Sequence, residues 1–425
     1  MKLARVAAIL AAASILVGAC SGSATPAPAT AAPATAAPAT AAPVEDPLGV
    51  VNIPAGEPVH IAYWGVLSGA DATLGDDSKQ GVMVAIDDLG GKFKGHDIRL
   101  TTEDGLCTPE GGATAATKLA ADSTLVGLVG SSCSDETVGG IKSLTDAGLT
   151  TISPSNTRPA LTAAGRDASY AGYARTAHSD AFQGKAAAEF VYNFLKLTKA
   201  ATIHDGSTYA QALQQVFVDE FKKLGGTITA QEAVTKETTD MSAVLTTVAA
   251  SKPEMIYFPV FVAAAGFLKA QVGNIPGLEN VKTMGADGHF TPDFLKAAGA
   301  ASVGHYLSSP NFGAFGSGYQ DFLAKRAAKF GGKPLSVFHA HAYDATNILF
   351  KALEKVAVEN ADGSLSVPKG ALRDAIYATK DFVGLTGNLS CSATGDCGAP
   401  VIGVYQVTQE NFDKLEMPSA VIWPK

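Results

Sequence analysis

The chain has 425 residues, 47% of them hydrophobic and 17% charged, with a formal charge of −8 at pH 7. An acidic body without basic runs argues against a nucleic-acid partner. A body of about 370 residues beyond the N-terminal segments is too large for one ordinary core and requires two lobes.

Residues 1–19 have a basic start (Lys2, Arg5), an apolar run over 6–17 and the small pair Gly18-Ala19. This is the layout of an export signal, too short to span a membrane as a helix. Removing it takes the formal charge from −8 to about −10. Val17-Gly18-Ala19-Cys20 is similar to a bacterial lipobox, so Cys20 is the expected lipidation site and a lipid the expected hold on the membrane. From Ser21 to Pro43 the chain is almost entirely Ala, Thr and Pro. Such a stretch has nothing to bury and favours extended conformations. Residues 20–56 are therefore assigned to the lipidated cysteine and a solvated linker.

The body begins with an apolar strand over 60–66. A helix follows, with Val82, Ala85, Ile86 and Leu89 at i, i+3, i+4 and i+7, stopped by Gly90-Gly91. A strand over 98–102 and a helix over 112–121 come next. The stretch 125–157 then reads strand (125–129), turn (130–134), helix (135–147), strand (149–152) and a second polar turn (153–157). Two strands joined by one helix are normally parallel, which puts both turns at the carboxyl edge of the sheet, where open α/β sheets bind ligands. The first turn offers Ser134 and free N–H groups at a helix start, a seat for a carboxylate; Ser134 equally suits an N-cap. The second, Ser153 to Thr157 with Ser155 and Asn156, offers hydroxyls and carbonyls for an ammonium group. Asp135 and Glu136, in the first helical turn, complement the helix dipole; facing a cleft they would instead favour a cationic or amide ligand.

After an irregular stretch, a helix over 180–197 presents Ala187, Phe190, Val191 and Phe194 on one face. Strands over 201–204, 227–230, 255–259 and 281–285 then alternate with helices over 209–224, 241–250 and 263–272. This second α/β lobe is followed by a strand over 303–308, helices over 318–330, 336–358 and 368–379, and a last strand over 401–406. The surplus elements send the chain back to the first lobe. The economical fold is α/β with two doubly wound parallel-sheet lobes.

Cys20 aside, the exported body keeps four cysteines, an even number in an oxidising compartment, where disulfides are the default. Cys107 follows an early strand and Cys133 lies in the opening turn, so these two pair at one sheet edge and Cys391 pairs with Cys397. CxxxxxC without a second pair is a poor zinc pattern, and no metal or cofactor is expected. His339 and His341 point to different sides of a helix. The chain lacks GxSxG, GxxxxGK[ST], HExxH and a GxGxxG after a strand; a hydrolase built on Ser134, His289 and Asp287 has no supporting spacing. The expectation is a binding protein, not an enzyme.

The order of these elements, the lipobox and the run VHIAYWGVLSG, GVMVAIDDLGG, GHDIRLTTEDG and ISPSNTRPALT resemble the solute-binding proteins of branched-chain amino acid ABC transporters, the type I periplasmic binding proteins. The resemblance spans 59–406. It implies two lobes joined by three crossover segments, near 175–180, 308–310 and 404–406, that close like a trap on one amino acid. The lobes are expected as 57–176 with 309–404, and 177–308 with 405–425. The family's α-carboxylate contacts match Ser134, beside Cys133, and Thr157. Its α-ammonium contacts match the carbonyl of Ser155, the hydroxyl of Thr157 and an acid at Asp287, where the family commonly has the longer Glu. Its side-chain pocket matches Tyr209, Phe261 and Phe338, with Leu74 where some members carry an aromatic. Implied partners are a small, branched-chain or aliphatic amino acid and ABC permease subunits, for a monomer anchored by lipid outside the cytoplasm, on the periplasmic face or cell surface. Another amino acid, an amide or an aromatic acid as ligand, or a sensor role beside a membrane receptor, are the alternatives.

Overall fold

The computed structural model describes residues 44–424; the export segment, Cys20 and the Ala/Thr/Pro stretch lie outside the described residues. Strands β1 (Val50–Ile53), β2 (Val59–Gly65), β3 (Lys92–Phe93), β4 (His96–Asp104), β5 (Leu125–Gly130), β6 (Thr151–Ser153) and β7 (Tyr173–Arg175) enclose helices α1 (Ala72–Asp88), α2 (Pro109–Ala120) and α3 (Ser134–Asp146). Six of the strands form one sheet in the order β3-β4-β2-β5-β6-β7, parallel except for the β3–β4 hairpin. Every residue of β2 and β5 is buried, as a parallel sheet covered on both faces demands. The helix starts are written locally: Thr108 accepts from Gly111 N–H and Pro109 opens α2, an arrangement suited to a first turn without intrahelical partners.

The chain then crosses into the second lobe. Here α4 (Asp180–Glu189), β8 (Lys199–His204), α5 (Thr208–Lys223), β9 (Thr227–Ala233), α6 (Ser242–Ala250), β10 (Met255–Tyr257), α7 (Val262–Val272), β11 (Lys282–Gly285), α8 (Pro292–Ala298) and β12 (Tyr306–Pro310) follow in turn. Ser179 caps α4 and Ser207 caps α5. A second crossing leads to α9 (Tyr319–Phe330), α10 (His339–Val356), β13 (Val358–Glu359), β14 (Leu365–Pro368), α11 (Lys369–Tyr377) and the hairpin β15 (Phe382–Gly384) and β16 (Gly387–Leu389), of which α10 packs on α1 and on the first sheet. A third brings the chain back as β17 (Ile402–Gln406), ahead of the short α12 (Gln409–Lys414). The second sheet runs β17-β12-β11-β10-β8-β9, with β17 alone antiparallel to its neighbour. Each lobe has its own apolar core, Ile61, Val129, Ile152 and Leu349 in the first and Ile203, Ile256, Leu268 and Leu307 in the second. The architecture is the expected α/β pair of doubly wound lobes.

The linker expected over 20–56 is too long. Val50–Ile53 pairs antiparallel with β14, Val51 opposite Val367 and Ile53 opposite Leu365, and both residues are buried in the first lobe. Ahead of them Asp46 accepts from Gly370 and Ala371 N–H at the start of α11. The partner strand lies more than three hundred positions downstream, out of reach of a local pattern. The sheet boundaries also move: β12 runs to Pro310 and β17 starts at Ile402 because Pro310 pairs with Ile402, so the chain changes sheets near 311 and 401 instead of 309 and 404. Finally, the helix expected over 180–197 loosens after Glu189 into a wider π turn over Phe190–Phe194. It stacks Phe194 on Phe190, with ring centroids 5.2 Å apart, while Phe190 meets the edge of Tyr306.

Candidate ligand-binding site

The carboxyl ends of both sheets face one cleft. On the first-lobe side, parallel register sets Val129 opposite Ile152, so the turns after β5 and β6 lie side by side and are tied together. Ser153 Oγ donates to Ser131 O at 2.8 Å, Ser155 Oγ to Ser132 O at 2.8 Å and Asn156 Nδ2 to Ser131 O at 3.0 Å. Glu136 clamps the first turn from within: one carboxylate oxygen accepts from Ser132 and Cys133 N–H, both at 2.9 Å, the other from Cys107 N–H at 3.0 Å. The Cys107–Cys133 disulfide pins the same two segments. Full burial pushes the Glu136 carboxyl up to about 7 against these three donors. The second expected disulfide, Cys391–Cys397, is also formed.

On the second-lobe side, Tyr209 enters from the first turn of α5 after β8, Phe261 precedes α7 after β10, and Asp287 and Gly288 follow β11. Tyr209 donates its hydroxyl to Asp287 Oδ1 at 3.2 Å and accepts from Gly288 N–H at 3.2 Å. A Cβ at Gly288 would stand 2.9 Å from the Tyr209 ring, so only glycine lets this turn approach so closely. Gln183 Nε2 donates to the same Asp287 oxygen. Burial holds the Asp287 carboxyl up at about 6, above the usual carboxylate range, and among the described residues it has no ion-pair partner. The two walls meet around a cavity of about 20 Å³, room for roughly one water molecule; the lobes are closed on one another.

Of the residues singled out from the sequence, Leu74, Cys133, Ser134, Ser155, Tyr209, Phe261, Asp287 and Phe338 line this cavity together, joined by Ser132 and Gly288. Two do not line it. Asn156 is buried behind the turn, its amide engaged by Ser131 and Thr137, and holds the turns together instead of facing the cleft. Thr157 is buried; its carbonyl accepts from Asp180 N–H at 2.8 Å, and its hydroxyl has no hydrogen-bond partner among the described residues. His289 reaches neither Ser134 nor Asp287: it is hydrogen-bonded to Val260 O and His305, and burial pushes it down to about 4, so these three residues form no relay. His339 is held by Asp77 and Tyr319.

Asp135 does more than complement its own helix. It reaches across the cleft to Thr208 N–H, at 3.1 and 3.2 Å, at the start of α5. Asp71 makes the matching contact to Val262 N–H, at 3.2 Å, at the start of α7, and burial pushes its carboxyl up to about 6. From the opposite lobe Lys236 donates to Cys107 O at 2.8 Å and lies 4.5 Å over the Phe261 ring. Sequence reading missed Asp71, Ser132, Gln183 and Lys236. Only Ser132, within the Ser-rich turn, carried a local signal; the others act through partners far along the chain.

The family model described as periplasmic binding protein matches residues 58–409. An amino acid binding protein of Pseudomonas aeruginosa is 31% identical over 243 residues, 57% of this chain and 63% of its own length; the chain thus spans a little under two thirds of that relative. Leu/Ile/Val-binding protein homolog 3 of Brucella melitensis is 26% identical over 344 residues, 80% of this chain and 89% of the relative. Among solved structures, the branched-chain amino acid transporter substrate binding protein LivJ from Streptococcus pneumoniae, in complex with isoleucine, superposes with a TM-score of 0.72 at 25% identity. It covers 83% of this chain and 97% of its own.

Proposed function

This chain belongs to the periplasmic binding protein family, and from that premise we propose that it captures a small amino acid, branched-chain or aliphatic, between its lobes and delivers it to an ABC importer. The observation that carries the reading is Asp287, a buried carboxylate without a cation, set across the cavity from the N-terminal end of α3. A zwitterion complements both ends: its carboxylate takes the first-turn N–H groups and the hydroxyl of Ser134, and its ammonium takes Asp287 and the carbonyl of Ser155. Thr157, whose buried hydroxyl has no hydrogen-bond partner among the described residues, joins them as the cleft closes on the ligand. Leu74, Phe261 and Phe338 supply the apolar wall for an aliphatic side chain. The relatives named for amino acid and Leu/Ile/Val binding, and the isoleucine complex, support this class.

Capture works by differential affinity. A ligand touching both walls binds the closed form more tightly and shifts the equilibrium towards it by that difference, and the permease reads the closure. The protein is a monomer outside the cytoplasm, tethered through lipid on Cys20; mass spectrometry of the mature N-terminus tests the tether, and an unmodified Cys20 refutes it. The double variant Ser134→Ala, Thr157→Ala is expected to keep its thermal unfolding midpoint and to lose amino acid binding in calorimetric titration. Unchanged titration heats would overturn the site.

A further inference from the structure

Behind the cleft lies a second buried acid that the site described so far leaves out. Asp180 opens α4 at the crossing between lobes, is fully buried, and has no hydrogen-bond partner on either carboxylate oxygen among the described residues. Its backbone N–H donates to Thr157 O, whose own hydroxyl is equally without a partner, as is that of Tyr257 on β10. Gln183 stands one helical turn further along α4, on the same face, and its amide donates to Asp287 and to Ser308 O. Gln183 thus ties Asp287 to the face of α4 that carries Asp180, and α4 and the turn after β11 that holds Asp287 both belong to the second lobe. Tyr257 apart, the charged and titratable groups around Asp180 are already engaged: Arg175, on β7, is bound to Asp396 and to the carbonyls of Asn156 and Arg158. His178 donates to Gln183, burial having pushed the imidazole down to about 4. Tyr209 donates to Asp287. Arg175 and Thr157 favour the charged form of Asp180, but burial and the charge of Asp287 outweigh them.

We propose that Asp180 and Asp287 form a carboxylate pair at the ammonium end of the cleft, which shares one proton when empty and surrenders it to solvent when a primary ammonium group binds. Two buried carboxylates at close quarters do not both ionise without a cation; burial and Asp287 together push Asp180 up in the manner such a pair requires. The ligand's single positive charge replaces the proton, so the pair's net charge with its cation is unchanged. The hydroxyls of Thr157 and Tyr257 gain a charged neighbour to bond. The arrangement selects primary amines over their deaminated analogues, and by linkage affinity rises with pH until the empty pair has lost its proton.

This inference rests on the amino acid reading above, and the test separates the two. The full chain is titrated with L-leucine and the other proteinogenic amino acids in phosphate and in Tris, buffers of unequal ionisation enthalpy, at about pH 6.5. The expected result is a heat that differs between buffers by the equivalent of roughly one released proton per ligand. Asp180→Asn, which cannot hold the shared proton, is expected to lose that difference and to bind about tenfold more weakly, with no loss of affinity for 4-methylpentanoate, which lacks the amine. Heats identical in both buffers for the unaltered protein overturn the pair, whether or not the variant folds. So does a variant that releases the same proton with unchanged affinity. Failure of the unaltered protein to bind any amino acid overturns the amino acid reading itself, and the pair with it.

Discussion

The two walls of the cleft are built on opposite principles. The first-lobe wall is, the Thr157 hydroxyl apart, closed upon itself: Glu136, Ser153, Ser155 and Asn156 satisfy the polar groups of the turn from within, and the Cys107–Cys133 bridge holds it. On the second-lobe side, among the described residues, Asp287 in the wall has no ion-pair partner and Asp180 behind it has no hydrogen-bond partner on its carboxylate. Buried polar groups are nearly always satisfied inside a fold, and an exception beside a ligand cleft is a place that a ligand can complete. A preformed anion seat therefore faces an incomplete cation seat, and the incomplete side is where a ligand's charge matters most.

Changes to the first wall should register as stability and changes to the second as affinity. Replacing Cys107 and Cys133 together by Ser removes a bridge across a sequence separation of 26, which the chain-entropy relation values at about 3.5 kcal/mol; denaturant unfolding should show the loss, with ligand affinity per folded molecule little changed. Asp287→Asn should do the reverse, weakening amino acid binding by about 100-fold in titration while leaving the unfolding midpoint near that of the parent. A smaller effect is expected of Glu136→Gln, about 2 kcal/mol from mismatched donors, with a signature in pH. The Glu136 carboxyl is raised from 4.5 to about 7, so its contribution to stability is fully present below pH 4.5 and declines as pH rises through 7. The difference between parent and variant should therefore shrink over that window; a difference that grows with pH would show that the three N–H donors outweigh burial. Smallest is Leu74→Ala at the apolar wall, expected to weaken a branched-chain ligand by about tenfold and glycine hardly at all, read from competitive titration.

The residues lining the cavity were legible from the sequence to an unusual degree for a site made by two lobes. Ser134 and Ser155 lie in turns whose place at one sheet edge follows from strand, helix, strand patterning alone. Tyr209, Phe261, Asp287, Phe338 and Leu74 came from the family resemblance, since no periodicity says that a residue after β10 faces one before α10. Asn156 shows the limit of that reasoning: it lies in the right turn, but the amide faces inward to Ser131 and Thr137. Adjacent positions in a turn point in different directions, and only coordinates say which.

By itself the sequence determined what is written at short range: alternating strands and helices, the caps at Thr108, Ser179 and Ser207, the turns that present Ser134 and Ser155, and an even set of cysteines with two pairs near enough to join. The tertiary structure decided what depends on partners far along the chain. Val50–Ile53 becomes a strand only because Leu365–Pro368 comes beside it. Asp71 and Asp135 become contacts between lobes only because two helix starts of the second lobe meet them. Asp180 is an ordinary first-turn acid by its sequence; it is a buried carboxyl without a hydrogen-bond partner among the described residues because folding takes it away from water, and burial is a property of the whole molecule.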